Sequence, residues 1–151
     1  MALCEAAAYY KDQGKTLCDQ MICIYDKYGY YKEQLYTVTL KGLDGTEQIQ
    51  KILADLRENL PERIGAYEVV RVRDYKTKKI YDLKENKITG TTLPVSNVLY
   101  FELTEHAWAC VRPSGTEPKV KLYMGIKGKN EEDAQSRIDS LKESLVEMVL
   151  E

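Results

Sequence analysis

The sequence has only one histidine and four cysteines, and none of the cysteines is paired at Cys-x-x-Cys spacing. This absence argues against a zinc or dithiol redox site. His106 has no cysteine or carboxylate at metal-ligand spacing, so we assign it no chemistry. Cys4, Cys18, Cys23 and Cys110 have apolar neighbours, and we therefore expect four buried free thiols in a reducing compartment.

The sequence also has no long apolar run and no strong excess of one charge. No run approaches the roughly 20 residues that a membrane-spanning helix needs, and no secretory signal is recognisable at the start. The formal net charge is −2, which gives no overall basic field to attract nucleic acid or anionic membrane. We therefore expect a cytoplasmic protein that binds neither nucleic acid nor membranes.

What the sequence does contain is typical of one globular domain with an attached segment. Its 151 residues are 44% hydrophobic and 30% charged. Residues 2–13 and 16–28 are predicted to be two helices separated at Gly14, with a capping box between Thr16 and Asp19. We expect residues 1–33 to be an attached helical segment and residues 34–151 to be a separate domain. The tyrosines near residues 25–31 fall at helical spacing, which favours packing over a stacking platform for a ligand.

From residue 36 onward the pattern predicts an α+β domain. Alternating apolar residues indicate strands over 36–40, 67–74, 97–104, 107–112 and 119–126. Gly42 to Gly45 is predicted to be a turn, with Asp44 or Thr46 as the cap of the next helix. Apolar stripes indicate one helix ending before Pro61 and another after Asn130. The polar stretch 76–96 is predicted to be a turn-rich loop, and Trp108 to pack in or beside the sheet. We interpret the order as β-α-β-β-β-α, a four-stranded antiparallel sheet with two helices on one face, preceded by a short helical segment.

Residues 112–121, Arg-Pro-Ser-Gly-Thr-Glu-Pro-Lys-Val-Lys, combine several groups that bind phosphate. Arg112 carries a guanidinium that can donate two parallel hydrogen bonds. Ser114 and Thr116 carry hydroxyl donors, and Gly115 allows amides to turn toward one anion. Glu117 is expected to form a local ion pair with Lys119. An ordinary hairpin turn between two strands has a similar composition, so both interpretations stay open on these residues alone.

The lysines at 76, 78 and 79 also allow two interpretations. They could contact a phosphorylated ligand, although a solvated loop is the more common role of such a group.

The stretch from Arg112 to Tyr123 resembles the phosphate-binding loop in the last domain of the α-D-phosphohexomutases, the phosphoglucomutase and phosphomannomutase family. Residues 26–31, 70–75 and 97–101 resemble further segments of the same domain and of its junction with the preceding one. Among the branches of this family, the bacterial phosphoglucomutase type is the most similar. The resemblance implies that residues 1–33 are the end of a preceding, third domain and that residues 34–151 are a fourth domain with a TATA-binding-protein-like arrangement. This shared shape does not imply DNA binding, because function belongs to the site and not to the fold.

The resemblance also implies a function. Arg112, Ser114, Gly115, Thr116 and Lys121 would bind the phosphate of glucose 1-phosphate, glucose 6-phosphate or glucose 1,6-bisphosphate. The family's phosphoserine loop, its Mg²⁺ site and its sugar-recognition loop do not occur in this sequence. We therefore expect a C-terminal part of a longer enzyme that is inactive alone, holds no metal or cofactor and works with the missing N-terminal domains.

Several alternatives stay open. The longer enzyme could be a phosphomannomutase or a phosphopentomutase of the same family. The chain could also be a stand-alone module that binds phosphorylated ligands, or an oligomerisation module.

Overall fold

A computed structural model describes residues 1–40 and 44–150. The helices are α1 (Ala2–Asp12), α2 (Leu17–Tyr28), α3 (Gly45–Glu58) and α4 (Glu131–Leu150), with a short 3₁₀ turn at Thr104–His106. The strands are β1 (Tyr30–Thr39), β2 (Arg63–Ile64), β3 (Tyr67–Asp74), β4 (Lys79–Asp82), β5 (Lys87–Gly90), β6 (Leu99–Leu103), β7 (Trp108–Pro113) and β8 (Lys119–Gly128). The predicted turn at Gly42 begins outside the described residues; Asp44 stands at the cap of α3 but makes no side-chain cap hydrogen bond.

All the strands belong to one antiparallel sheet with the order β1-β8-β7-β6-β3-β4-β5, and β2 pairs with β3. Strand β8 lies between β1 and β7, and its ten residues pair in unbroken register with those of β1. The predicted α+β class and antiparallel sheet are confirmed. The TATA-binding-protein-like arrangement stays a prediction.

The core lies between the sheet and helices α3 and α4. Every second residue of β8, from Val120 to Ile126, is buried, and the residues between them are mostly half-buried. The apolar stripes of both helices are also buried, as the spacing predicted; they comprise Ile49, Leu53 and Leu56 in α3 and Ala134, Ile138, Leu141, Leu145 and Val149 in α4. The opposite side of the sheet carries no helix among the described elements, and we call it the open face.

The predicted count of four strands is wrong, because the described residues form a sheet of eight. The sequence pattern indicated five strand segments, and all five form strands. The predicted order β-α-β-β-β-α therefore omitted one of them. Strands β4 and β5 form a hairpin inside the stretch that we expected to be a loop. Neither strand has a hydrophobic pattern from which it could be predicted, since β4 is at most half-buried and every residue of β5 is exposed. Strand β1 begins at Tyr30, six residues before the predicted start.

Helices α1 and α2 precede the sheet and bury none of their residues. The predicted capping box is confirmed: the Thr16 hydroxyl accepts from the Asp19 amide at 3.1 Å, and the Asp19 carboxylate accepts from the Thr16 amide at 2.8 Å. The predicted boundary between 33 and 34 falls within β1, and the division into two domains stays a prediction. None of the helices described is both long and apolar enough to cross a membrane.

Candidate functional site: the turn between β7 and β8

The predicted phosphate-binding residues lie in and beside the turn that connects β7 and β8. The Ser114 amide donates to the Lys119 carbonyl at 2.7 Å, which closes the turn. The Pro118 carbonyl accepts from the Leu40 amide at 3.0 Å, so the turn is also fixed to the end of β1. These bonds hold the turn on the rigid sheet, which is what a binding loop needs in order to keep its donors in place.

Arg112 and Lys121 lie directly opposite each other at the base of this turn. Opposite residues of an antiparallel pair share a face, with Cβ atoms about 5 Å apart. Their neighbours Val111, Val120 and Leu122 are buried beneath the helices, so Arg112 and Lys121 project from the open face.

The positive charges of Arg112 and Lys121 are not neutralised within the parts of the chain that the structure describes. Neither side chain lies within 4.0 Å of a described carboxylate. The nearby acid Glu117 instead pairs with Lys119, Oε1 to Nζ 3.0 Å, as the sequence predicted. Arg112 is exposed and Lys121 half-buried, so an anion can reach both. The base of the turn is therefore an available cationic site.

Ser114, Gly115 and Thr116 form the turn itself. Ser114 is half-buried, and Gly115 and Thr116 are exposed. Among the described residues, neither hydroxyl takes part in a hydrogen bond, so both are available to a ligand. Gly115 does not adopt a left-handed backbone angle, and a Cβ at this position would have no atom within 4 Å. The glycine leaves space beside the backbone, and the turn does not need its conformational freedom.

Lys76 and Lys78 lie in the turn from β3 to β4, and Lys79 is the first residue of β4; all three are exposed. This turn is at the same edge of the sheet as the 113–118 turn, because both follow strands that run in the same direction. Strand β6 lies between them. The structure thus brings these lysines to the same edge without bringing them into the 113–118 turn.

The expectation of four buried cysteines is wrong, since three of them are exposed and Cys110 is only half-buried. Cys4, Cys18 and Cys23 are exposed, because helices α1 and α2 bury no face against the sheet. Cys110 is half-buried on the open face, between Trp108 and Arg112 along β7. Burial raises the pKa of its thiol to about 11, although the charge of Arg112 opposes this shift. At neutral pH Cys110 is therefore a protonated, weakly reactive thiol.

The sequence did not predict which aromatic residues lie near Arg112 and Lys121. Tyr100, Trp108 and Tyr123 are half-buried on β6, β7 and β8, on the same open face as Arg112. Trp108 lies in the sheet as predicted. Strand register brings the three together, and only the pairing of distant segments could have revealed this.

The described residues include no group of three or more His, Cys, Asp or Glu side chains that could hold a metal ion. The residues present therefore do not fit the Mg²⁺ that the family resemblance implies for a longer enzyme. His106 lies in the 3₁₀ turn at a backbone φ of 60°. A cleft between α3 and α4 is lined by residues such as Ile52, Leu56 and Met148, and none of the predicted phosphate ligands lines it.

Comparison with known proteins agrees with the resemblance. Residues 38–142 match the family described as "Phosphoglucomutase/phosphomannomutase, C-terminal domain". The chain is 36% identical over 135 residues to the phosphoglucomutase of Staphylococcus aureus strain MSSA476 and 35% identical to that of strain MRSA252. Each alignment covers 89% of this chain and 24% of the relative, so the chain spans about a quarter of the length of these relatives.

Proposed function

Because the chain belongs to the phosphoglucomutase/phosphomannomutase family, we propose that it is the substrate-phosphate-binding C-terminal domain of a phosphoglucomutase-type phosphohexomutase. The longer enzyme would interconvert glucose 1-phosphate and glucose 6-phosphate by intramolecular phosphoryl transfer. We propose that this transfer passes through a phosphoserine and a glucose 1,6-bisphosphate intermediate.

The observation that supports this proposal most strongly is the Arg112–Lys121 pair at the base of the 113–118 turn. Two cations without a described carboxylate partner, next to two available hydroxyls, suit a dianionic phosphate monoester. Arg112 would donate two hydrogen bonds to the phosphate that is not transferred. Ser114, Thr116 and the Gly115 amide would fix its orientation, and Lys121 would add charge.

Holding this phosphate would position the opposite sugar hydroxyl for transfer, and positioning supplies much of the rate of phosphoryl transfer. The grip must also be reversible, because the bisphosphate has to turn round before the second transfer. We propose that the phosphoserine, the Mg²⁺ and the sugar-recognition loop belong to other parts of a longer cytoplasmic protein. This chain alone would then be catalytically inactive.

A titration of the isolated chain tests phosphate binding. We expect glucose 6-phosphate to shift the backbone amide NMR signals of residues 112–121, with a dissociation constant on the order of millimolar, because a single domain supplies only part of the binding energy. Arg112→Ala should abolish the shifts. Arg63→Ala, which removes an exposed arginine that pairs with Glu68 on β2 and β3, is the matched control and should retain them.

The same titration separates the alternatives. A stand-alone phospho-ligand module would bind a phosphopeptide as well as glucose 6-phosphate at these residues. An oligomerisation module would show no shift at residues 112–121 with any phosphorylated ligand, and that result would overturn the proposal.

In the longer enzyme, Arg112→Ala should lower kcat/KM for glucose 1-phosphate by the equivalent of about 2–4 kcal/mol, since a charged hydrogen-bond donor to the phosphate is lost. The assay measures the conversion of glucose 1-phosphate to glucose 6-phosphate. Near-normal turnover would show that this arginine does not hold the substrate phosphate.

A further inference from the structure

Three aromatic side chains lie beside the cationic pair on the open face. We call Tyr100, Trp108 and Tyr123 the aromatic patch. Cys110 lies opposite Tyr100 on one side and Tyr123 on the other, and Trp108 lies opposite Gly125. Trp108, Cys110 and Arg112 alternate along β7 with the fully buried Ala109 and Val111. The aromatic patch and Arg112 therefore share one face of the sheet.

The aromatic patch is held in place by contacts within the domain. The rings of Tyr100 and Trp108 are stacked, with centroids 5.7 Å apart and planes 15° from parallel. The guanidinium of Arg73 lies 6.0 Å from the centre of the Tyr100 ring. Glu102 forms ion pairs with both Arg73 and Arg71, which restrains the Arg73 side chain beside Tyr100.

Gly125 completes the arrangement. A Cβ at this position would overlap the indole of Trp108, so the absence of a side chain lets the ring lie against the backbone of β8. The result is a half-buried aromatic surface that is formed before any ligand arrives, and such preorganisation lowers the entropy lost on binding.

Two members of the aromatic patch, Tyr100 and Tyr123, are close enough to the cationic pair to contact the same small molecule. Tyr123 is two residues from Lys121 on β8, a separation of about 7 Å along a strand. Tyr100 is one strand and one such step from Arg112.

We propose that the aromatic patch packs against the ring of the phosphorylated sugar while Arg112 and Lys121 bind its phosphate. The C–H groups on one side of a hexose ring form an apolar surface that suits an aromatic face, and the tyrosine hydroxyls can bond to sugar hydroxyls. The open face would then select a cyclic sugar phosphate over an acyclic phosphate ester. This inference rests on the proposed phosphate-binding function.

The test compares two phosphate monoesters on the isolated chain, glucose 6-phosphate and glycerol 3-phosphate. Both present the same phosphate to Arg112, and only the first carries a ring. We expect the wild-type chain to bind glucose 6-phosphate about 2–12 times more tightly, the range that an aromatic contact of about 0.5–1.5 kcal/mol gives. Tyr123→Leu should reduce this ratio to about 1 without weakening glycerol 3-phosphate binding.

Two further variants control this experiment. Tyr36→Leu removes an exposed tyrosine of β1 that lies opposite Leu122 and so belongs to the other face; it should keep the wild-type ratio. Tyr123→Phe keeps the ring and should keep most of the preference, which separates loss of the ring from loss of the fold. Trp108 is the only tryptophan of the chain, and its emission should change with glucose 6-phosphate and stay constant with glycerol 3-phosphate.

The outcomes distinguish the two proposals. Equal binding of both esters by the wild-type chain, or an unchanged ratio in Tyr123→Leu, would overturn the role of the aromatic patch and leave the phosphate site intact. Failure of both esters to bind would overturn the proposed function itself, and with it this inference.

Discussion

Asp74 is the buried carboxylate that ties helix α3 to the sheet. It is 1% exposed at the end of β3 and forms an ion pair with Arg57 of α3, Oδ1 to Nε 3.1 Å. It also accepts from the Thr77 hydroxyl at 2.7 Å and from the Lys76 amide at 3.0 Å. Burial alone would raise the pKa of Asp74, but the hydrogen bonds from Thr77, Arg57 and Lys76 outweigh it and the pKa lies below its usual value.

This lowered pKa predicts how Asp74→Asn changes stability with pH. The contribution of Asp74 is complete above its unfolded pKa of about 3.9 and is lost as the pH falls through the lower folded pKa. Asp74→Asn should therefore lower the free energy of unfolding by about 2–4 kcal/mol at pH 7, since Arg57 loses a charged partner. The difference from wild type should narrow as the pH falls below about 4.

Urea unfolding at pH 7 and at acidic pH measures both values. Asp12→Asn changes an exposed carboxylate at the end of α1 and should leave the free energy of unfolding unaltered. A difference for Asp74→Asn that stays constant with pH would show that the carboxylate charge does not stabilise the fold.

Two of the three glycines in the β7–β8 hairpin, Gly115 and Gly125, have opposite structural roles. A Cβ at Gly125 would overlap the indole of Trp108, whereas a Cβ at Gly115 would have no atom within 4 Å. Neither glycine has a left-handed backbone angle, so alanine is tolerated or rejected at each position by space alone.

Gly125→Ala should therefore displace Trp108 and lower the free energy of unfolding by about 1–3 kcal/mol, the usual effect of overpacking. The emission of Trp108 should shift to longer wavelength as the indole moves toward water. Gly115→Ala is the matched control and should change neither the emission nor the urea midpoint. An unaltered spectrum for Gly125→Ala would show that the indole does not lie against the backbone of β8.

The strands of the sheet show which parts of the fold can be predicted from the sequence. Strands such as β6 and β8 alternate between buried and half-buried residues, so their pattern is visible in the sequence. Strands β4 and β5 lie at the far edge of the sheet and bury no residue, so their hydrogen-bonded pairing leaves no hydrophobic pattern.

Only part of the candidate site can be predicted from the sequence. The residues from Arg112 to Lys121 are contiguous, and their chemistry can be recognised as a motif. Tyr100 and Tyr123 lie on either side of Cys110 only because three strands pair in a particular register, and a single sequence does not specify that register.

At the scale of the whole molecule, the N-terminal helices contribute no residue to the buried core of the described chain. The buried core contains only residues between Val38 and Val149 among those described. Helices α1 and α2 leave large apolar side chains exposed, among them Leu3 and Ile22. Their main link to the sheet is the stacking of Tyr25 on Tyr30, with centroids 5.1 Å apart, and the bond from the Tyr30 hydroxyl to Asp26 at 2.9 Å.

Removal of residues 1–28 should therefore leave the β-sheet domain folded. The variant keeps β1 from Tyr30 onward and every residue of the buried core, so its free energy of unfolding should lie within about 1 kcal/mol of that of the whole chain. It should also retain the glucose 6-phosphate shifts at residues 112–121.

Leu145→Ala, at a fully buried position of α4, should lower the free energy of unfolding by about 2–5 kcal/mol in the same urea assay and shows its sensitivity. Loss of cooperative unfolding on truncation would mean that the N-terminal helices are part of the folding unit, and the division of the chain into two domains would then be wrong.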